Sequence, residues 1–310
     1  MSSLDFSTTI GNVWFPAPTF TASGCASSGR ELAQFFPLRE MGGIVTKSVM
    51  SKVRTGRPTP RMAETPSGML NSIGLQGPGI DAFIAKDIPY LTEQKARIIV
   101  SIAGETVEEY STLARKLRSV SGISAIEVNI SCPNVENRGQ VFACQPDTAV
   151  AVIESVRRNI GGELPIIAKL SPDVTDIVEI AGAVINAGVD ALALINTLLG
   201  MVIDTNTMRP KLAGKTGGLS GPAIRPVAVR AIYQVHQAFP NTPILGMGGV
   251  ASGRDALELI LAGASAVSVG TATFGDPTAV IKIKNQLAEL LTQKGFDDFR
   301  DAIGFAHRGI

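Results

Sequence analysis

One cysteine lies at the end of a strand-like apolar segment, with an asparagine on either side. Residues 125–130 form the segment and the sequence continues Ser-Cys-Pro-Asn, which places Cys132 between Asn129 and Asn134. The proline ends the strand because it has no N–H to donate to a neighbouring strand. Free cysteines often only fill space in a core. Here the flanking amides favour a thiol that transfers a proton to or from a small polar ligand.

Two lysines also lie at the ends of strand-like segments. Lys47 ends residues 43–47, and Lys169 lies near the end of residues 166–170. A cation fixed at such a position can stabilise an anionic ligand or a negatively charged reduced cofactor. We interpret the other basic residues near Lys47 as a solvated loop face: Lys52, Arg54, Arg57 and Arg61.

Glycines end two further strand-like segments late in the chain. Residues 246–251 read Gly-Met-Gly-Gly-Val-Ala, and residues 266–270 end in Gly270, which Thr271 follows. The first motif fits the dinucleotide pattern G-x-G-x-x-A, but no acidic residue follows at the required spacing of about 20 residues. Glycine lets the backbone approach an anion, and helix N-termini attract it. We therefore interpret Gly248, Gly249, Gly270 and Thr271 as a phosphate site, with plain tight turns as the alternative.

Side-chain amides accompany these groups. Asn71, Asn129, Asn134 and Asn196 all fall at strand ends or in the connections that follow them. Each amide offers both a donor and an acceptor. Such a set matches a planar ring with alternating C=O and N–H groups, such as a pyrimidine.

Short apolar segments alternate with helical segments along the whole chain, which predicts a single (β/α)₈ TIM barrel over residues 1–310. An open doubly wound sheet is the alternative. The predicted strands are 19–22, 43–47, 98–103, 125–130, 166–170, 191–196, 244–248 and 266–270. The predicted helices are 30–36, 107–117, 147–159, 176–187, 223–238, 253–262 and 278–291. Long connections at 48–91, 131–146 and 197–222 would all open onto the C-terminal face, where barrel enzymes hold their active sites.

Composition excludes several classes of function. A formal net charge of +1 disfavours a nucleic-acid binder. The sequence has no signal-peptide pattern and no apolar run of about 20 residues, which favours a cytoplasmic protein without a membrane span. Two histidines make a Ser-His-Asp triad or a histidine-rich metal site improbable. Three cysteines without ligand spacing cannot hold an iron–sulfur cluster, so any such cluster belongs to another chain.

Taken together, these motifs resemble the class 1 dihydroorotate dehydrogenases, flavoproteins of pyrimidine synthesis, over nearly the whole chain. The segment Val-Glu-Asn-Arg-Gly-Gln at residues 135–140 is similar to the class 1B branch. That resemblance implies a homodimer within a heterotetramer, whose second subunit carries FAD and a 2Fe-2S cluster and passes electrons to NAD. The matching motifs are residues 21–24, Lys47, 71–76, 129–134, 169–172, 195–197, 217–222, 246–250 and 270–271.

The resemblance also implies a mechanism in which Cys132 takes a proton from ring carbon 5 of dihydroorotate while a hydride leaves carbon 6 for N5 of FMN. Lys169 would stabilise the reduced flavin. The implied FMN contacts are Ser23, Lys47, Ser48, Ser101, Asn129, Lys169, Ile195, Gly221, Gly248, Gly249, Gly270 and Thr271. The implied substrate contacts are Lys47, Asn71, Ser72, Ile73, Gly74, Leu75, Asn129, Asn134, Asn196 and Thr197.

Other readings stay open at this point. A fumarate-linked class 1A enzyme would need no partner subunit, and a dihydropyrimidine dehydrogenase would share the barrel, FMN and a cysteine loop. A barrel that binds a phosphorylated ligand without turnover is the non-enzymatic alternative. Ser101 and Ser48 stand where the family more often has asparagine and threonine or alanine, respectively. Cys25 and Cys144 are interpreted as packing residues.

Overall fold

The computed structural model describes residues 4–131, 145–162 and 164–309. Its strands are β1 (Thr8–Ile10), β2 (Val13–Phe15), β3 (Thr19–Thr21), β4 (Ile44–Val45), β5 (Met62–Thr65), β6 (Gly68–Asn71), β7 (Ile98–Ile102), β8 (Ile123–Asn129), β9 (Ile166–Lys169), β10 (Ala191–Leu194), β11 (Leu198–Met201), β12 (Ile203–Asp204), β13 (Arg209–Pro210), β14 (Thr216–Ser220), β15 (Ile244–Met247) and β16 (Ala266–Val269). Its helices are α1 (Ile80–Glu93), α2 (Val107–Leu117), α3 (Pro146–Ile160), α4 (Ile177–Asn186), α5 (Arg225–Ala238), α6 (Gly253–Ala262), α7 (Ala272–Gly275) and α8 (Ala279–Gln293).

Eight parallel strands form one sheet in the order β3, β16, β15, β10, β9, β8, β7, β4. They correspond one to one to the eight predicted strands. A parallel bridge between Phe20 and Gly43 joins the two outer strands of this order. The Thr21 hydroxyl donates to the Val45 carbonyl at 3.2 Å and accepts from its N–H at 3.0 Å across the same seam. The sheet therefore closes on itself, and the predicted (β/α)₈ barrel is confirmed.

The N-terminal hairpin of β1 and β2 closes the lower end of the barrel, which is the end where the parallel strands begin. Ile10 and Phe15 are buried in one cluster with the inward-facing residues of the barrel strands, among them Ala125 and Ile167. This hairpin was not predicted, because strands of three residues are too short to show a clear alternation of apolar and polar residues. Since the lower end is filled, the open end of the barrel is the C-terminal one.

The crossover helices agree with the sequence prediction in all but two places. α2 begins at Thr106, whose side chain accepts from the Glu109 N–H, and α6 begins in the same way at Ser252. The helix predicted at 30–36 is wrong, since only a single 3₁₀ turn forms, at Leu32–Gln34. Gly29 and Pro37 bracket that segment and leave fewer than two turns, too few for a stable α-helix.

The second difference is α1, which begins inside the connection predicted as the long loop 48–91 and ends two residues beyond it. It carries Pro89 and follows Gly79, two residues that argue against a helix in a sequence. Tertiary packing outweighs this local preference, because Ile80, Phe83, Ile88 and Leu91 are all buried.

A small antiparallel sheet lies outside the barrel, in the order β11, β14, β6, β5. Its strands come from the two connections that follow β4 and β10, so it joins loops that are far apart in the sequence. Asn71 pairs with Gly218 at the point where β6 meets β14. Among the described residues, no helix is long and apolar enough to cross a membrane.

The seam of the barrel gives a test of stability. Thr21→Val removes both hydrogen bonds to Val45 from a fully buried site, and we expect the free energy of unfolding to fall by about 1–3 kcal/mol. Thr19→Val is the matched control: Thr19 is fully buried on the same strand, and its hydroxyl has no hydrogen-bond partner in the described structure. Urea unfolding measures both. Equal losses of unfolding free energy in the two variants would show that the hydrogen bonds at the seam do not stabilise closure of the barrel.

Candidate active site at the mouth of the barrel

A cavity of about 600 Å³ opens at the C-terminal end of the barrel strands. The structure brings most of the predicted site residues to its wall: Ser23, Lys47, Ser48, Asn71, Ile73, Gly74, Leu75, Asn129, Lys169, Ile195, Asn196, Thr197, Gly221, Gly248, Gly249, Gly270 and Thr271. Ser101 and Ser72 lie behind this wall and are fully buried. Cys132, Asn134 and Cys144 lie outside the described residues.

Glycines line the cavity just past the ends of β14 and β15, at positions where any other side chain would be strained. Gly249 has φ +76°, and a Cβ placed on it would come within 2.7 Å of the Arg225 Cβ and 3.0 Å of its backbone nitrogen. Gly221 has φ +95°, and its Cβ would come within 2.7 Å of the Gly68 Cα. Backbone is therefore exposed to the cavity without side chains in the way, as phosphate binding requires.

Two hydroxyl groups beside the glycines point to a polar ligand. The Ser268 hydroxyl is buried at the cavity wall and has no hydrogen-bond partner within the described part of the chain. The Thr271 hydroxyl donates to the Ser220 hydroxyl at 2.7 Å on the neighbouring wall. Buried polar atoms are nearly always satisfied, so the Ser268 hydroxyl fits a site that a polar ligand completes.

The two predicted lysines reach the same cavity from β4 and β9, which lie three strands apart in the barrel. Lys169 ends β9, is only 4% exposed, and donates from Nζ to the Ser23 hydroxyl at 2.9 Å. Lys47 is half-buried beyond the end of β4. Two ammonium groups held in one partly enclosed cavity favour an anionic ligand, since burial strengthens their field.

Cys25 is a wall residue that the sequence analysis assigned to packing. A Cβ on Gly270 would lie 3.3 Å from its sulfur, so the thiol touches the end of the last barrel strand. Burial raises the pKa of the Cys25 thiol, and the charges of Lys169 and Lys47 oppose that rise. The raised pKa disfavours the thiolate form, so we interpret Cys25 as part of the cavity wall and not as a base.

Two asparagines at the mouth are fixed in orientation by serines. Asn129 donates from Nδ2 to the Ser48 hydroxyl at 3.1 Å, while its Oδ1 accepts from the Ser131 hydroxyl at 3.0 Å. Asn196 donates from Nδ2 to the Ser131 hydroxyl at 2.7 Å, and its Oδ1 accepts from the Thr197 N–H at 2.8 Å. The amides thus present a fixed pattern of donors and acceptors before any ligand arrives.

The loop after Asn71 is held in place by arginines that the sequence analysis placed on a solvated face. Arg57 donates to the Ser72 hydroxyl at 2.9 Å, and Arg61 donates to the Gln76 side chain at 2.6 Å. Leu75 has φ +56°, an unfavourable value for a branched side chain, and packs against buried neighbours instead of solvent. The arginines hold this strained loop against the cavity.

Other wall residues carried no signal in the sequence. Met62 and Met69 come from the small antiparallel sheet, and Phe274 comes from the short helix α7. Met62 and Phe274 are about half exposed, so they form the rim of the mouth. Nothing in a single sequence indicates that residues so far apart meet at one rim.

These features define a (β/α)₈ barrel with a large polar cavity at its C-terminal face, where barrel enzymes hold their active sites. The family model described as dihydroorotate dehydrogenase matches residues 5–291. The chain belongs to the dihydroorotate dehydrogenase family. Members of this family are flavin-dependent oxidoreductases, and the glycine backbone and the unpartnered Ser268 hydroxyl fit a flavin phosphate.

Curated relatives agree over nearly full length. A protein of Desulforudis audaxviator named dihydroorotate dehydrogenase B (NAD(+)), catalytic subunit, is 50% identical over 96% of both chains. A protein of the same name from Geotalea daltonii is 48% identical over 98% of this chain and 99% of its own. The crystal structure of DHODH from Eimeria tenella in complex with ferulenol matches with a TM-score of 0.81 at 22% identity, covering 98% of this chain and 89% of that one. This last likeness supports the fold.

The glycine wall gives the second prediction. Gly249→Ala forces a Cβ against Arg225 at a positive φ, and we expect the affinity of the apoprotein for FMN to fall at least tenfold, measured by quenching of FMN fluorescence. Gly162→Ala is the control, because a Cβ there meets nothing within 4 Å. Unchanged FMN affinity in Gly249→Ala would place the phosphate elsewhere.

Proposed function

We propose that this chain is the catalytic subunit of a class 1B dihydroorotate dehydrogenase, which oxidises dihydroorotate to orotate in pyrimidine synthesis. FMN, when bound, accepts the hydride, and the electrons then pass to NAD through a partner subunit that carries FAD and a 2Fe-2S cluster. The observation that carries the proposal is the shared cavity wall, where the glycines of a phosphate site adjoin two lysines and a fixed set of amides.

Each side chain has a task that follows from its position. Gly248, Gly249, Gly270 and Thr271 would hold the phosphate, and Lys169 would stabilise negative charge on the reduced ring. Lys47 would bind the substrate carboxylate. Asn129 and Asn196, whose amides are already oriented, would bind the pyrimidine ring together with Asn71, Thr197, Asn134 and the loop 72–75.

Cys132 is the proposed general base. Ser131, which precedes it in the sequence, is fixed by hydrogen bonds to Asn129 and Asn196 at the edge of the cavity. The thiol would take a proton from carbon 5 as a hydride leaves carbon 6 for the flavin, so that two C–H bonds break and a double bond forms between the two ring carbons. Cys25 lines the same cavity, but burial raises the pKa of its thiol, which disfavours it as the base.

The names of the relatives support the NAD-linked branch over a fumarate-linked enzyme or a dihydropyrimidine dehydrogenase. They also support a separate electron-transfer subunit, because the relatives are named as catalytic subunits. We further propose a single catalytic domain over residues 1–310, arranged as a homodimer within a heterotetramer.

Anaerobic addition of dihydroorotate to the purified, FMN-loaded chain tests the proposal through the visible spectrum. Stoichiometric bleaching of the flavin band is the expected result. A band that persists with dihydroorotate and bleaches with dihydrouracil would assign the chain to the pyrimidine-reducing enzymes. Absence of FMN binding would overturn the proposal altogether.

The role of Cys132 gives the third prediction. Cys132→Ala should bind FMN normally and slow single-turnover flavin reduction by about 10²- to 10⁴-fold, the usual contribution of a general base. Cys25→Ala is the matched control, because it removes a thiol from the same cavity without removing the base. Unchanged reduction in Cys132→Ala, or an equal loss in Cys25→Ala, would contradict this assignment.

The fourth prediction concerns Lys169. Lys169→Met keeps much of the side-chain volume but removes a buried positive charge, so the bound flavin should become harder to reduce and its midpoint potential should become more negative. Spectroelectrochemical titration measures this. Replacing the solvent-facing Lys294, which lies just past the end of α8, in the same way should leave the potential unchanged. A potential that does not shift in Lys169→Met would exclude the electrostatic role.

A further inference from the structure

Glu127 is an acidic residue with no exposed surface, and the proposed mechanism does not use it. It lies on β8 between Ala125 and Asn129. Ala125 packs in the inner core of the barrel, and alternate residues of a strand face the same side. The Glu127 carboxylate is therefore inside the barrel, about 7 Å along the strand below Asn129 at the cavity wall.

A chain of hydrogen bonds connects this carboxylate to the cavity. Ser101 lies opposite Glu127 in the register of β7 and β8, and its hydroxyl donates to Glu127 Oε1 at 2.8 Å. The Ser101 and Ser48 hydroxyls are 2.9 Å apart, and Asn129 donates to Ser48 at 3.1 Å. Ser101 therefore lies between the carboxylate and the flavin site and does not contact the cavity itself.

The carboxylate fixes the direction of every bond in this chain. A carboxylate ion only accepts hydrogen bonds, so Ser101 has to donate to it. Ser101 has one proton and has used it, so it accepts from Ser48, and Ser48 in turn accepts from the amide nitrogen of Asn129. The orientation of the Asn129 amide at the cavity wall is thus set by a series of hydrogen bonds that begins at Glu127.

The charge itself also needs compensation, because an isolated buried carboxylate is costly. Glu127 Oε2 has no hydrogen-bond partner among the described residues. Lys169 is the buried cation on the neighbouring strand, where it pairs in register with Asn129, two residues above Glu127. Both side chains face the barrel interior, with Glu127 one layer further from the mouth.

We propose that Glu127 is a positioning residue, whose carboxylate orients the Ser101–Ser48–Asn129 chain and places a negative charge behind the flavin. The inference rests on the proposed function for the presence of FMN. The charge of Glu127 opposes the effect of Lys169, so the potential of the bound flavin reflects the balance of the two. A merely structural role for Glu127 would not move that potential.

Spectroelectrochemical titration of FMN-loaded variants tests the inference. Glu127→Gln keeps the size of the side chain and removes its charge, so the midpoint potential should become more positive, opposite in sign to the shift in Lys169→Met. Ser101→Ala removes the donor that offsets the charge on Oε1, so the midpoint potential should shift there too, toward more negative values. Thr19→Val removes a buried hydroxyl that is not part of this hydrogen-bond chain, so the midpoint potential should stay unchanged.

An unchanged or more negative potential in Glu127→Gln would overturn the inference. If Glu127→Gln does not bind FMN, the test is the comparison of Ser101→Ala with Thr19→Val. Equal midpoint potentials in those two variants would also overturn the inference. Failure of the unaltered chain to bind FMN would instead overturn the proposed function, and this inference with it.

Discussion

Closure of the parallel sheet is the constraint on which the rest of the structure depends. Once eight strands form a cylinder, every second side chain must be accommodated inside it, away from water. The lower layers meet this condition with apolar residues such as Val45, Ile99 and Leu245, and the N-terminal hairpin seals the end beneath them. Polar groups are thereby confined to the upper layers, where they can satisfy one another and face the open mouth.

Most polar groups in those upper layers are paired, and their pairing crosses strands that are distant in the sequence. Lys169 on β9 donates to Ser23, which follows β3 on the opposite side of the barrel. Asn129 at the end of β8 is held by Ser48, which follows β4. The side chains that present a pattern to a ligand are therefore the same ones that satisfy buried groups, so the site is rigid before a ligand binds.

The elements of this fold could be predicted where the local signal and the tertiary structure agree. Most of the barrel strands are largely apolar, as buried parallel strands usually are, and all eight were found. The helix α1 was missed because Pro89 and the preceding glycine oppose it locally, while burial of its apolar face stabilises it. The antiparallel sheet was missed for a different reason: its pairs, such as Asn71 with Gly218, depend on contacts between distant loops.

The residues of the candidate site could likewise be predicted only where the sequence carries a local signal. Strand ends are recognisable in a sequence and converge at one face of a barrel, which is why Lys47 and Lys169 were found together. Glu127 carried no such signal, because one acid in an apolar strand usually marks a solvent-facing position. Barrel closure reverses that interpretation: the position opposite Ser101 faces inward, and a charge placed there acts on the mouth through a low-dielectric core. Residues beneath a site, not only those at its wall, thus contribute to its electrostatics.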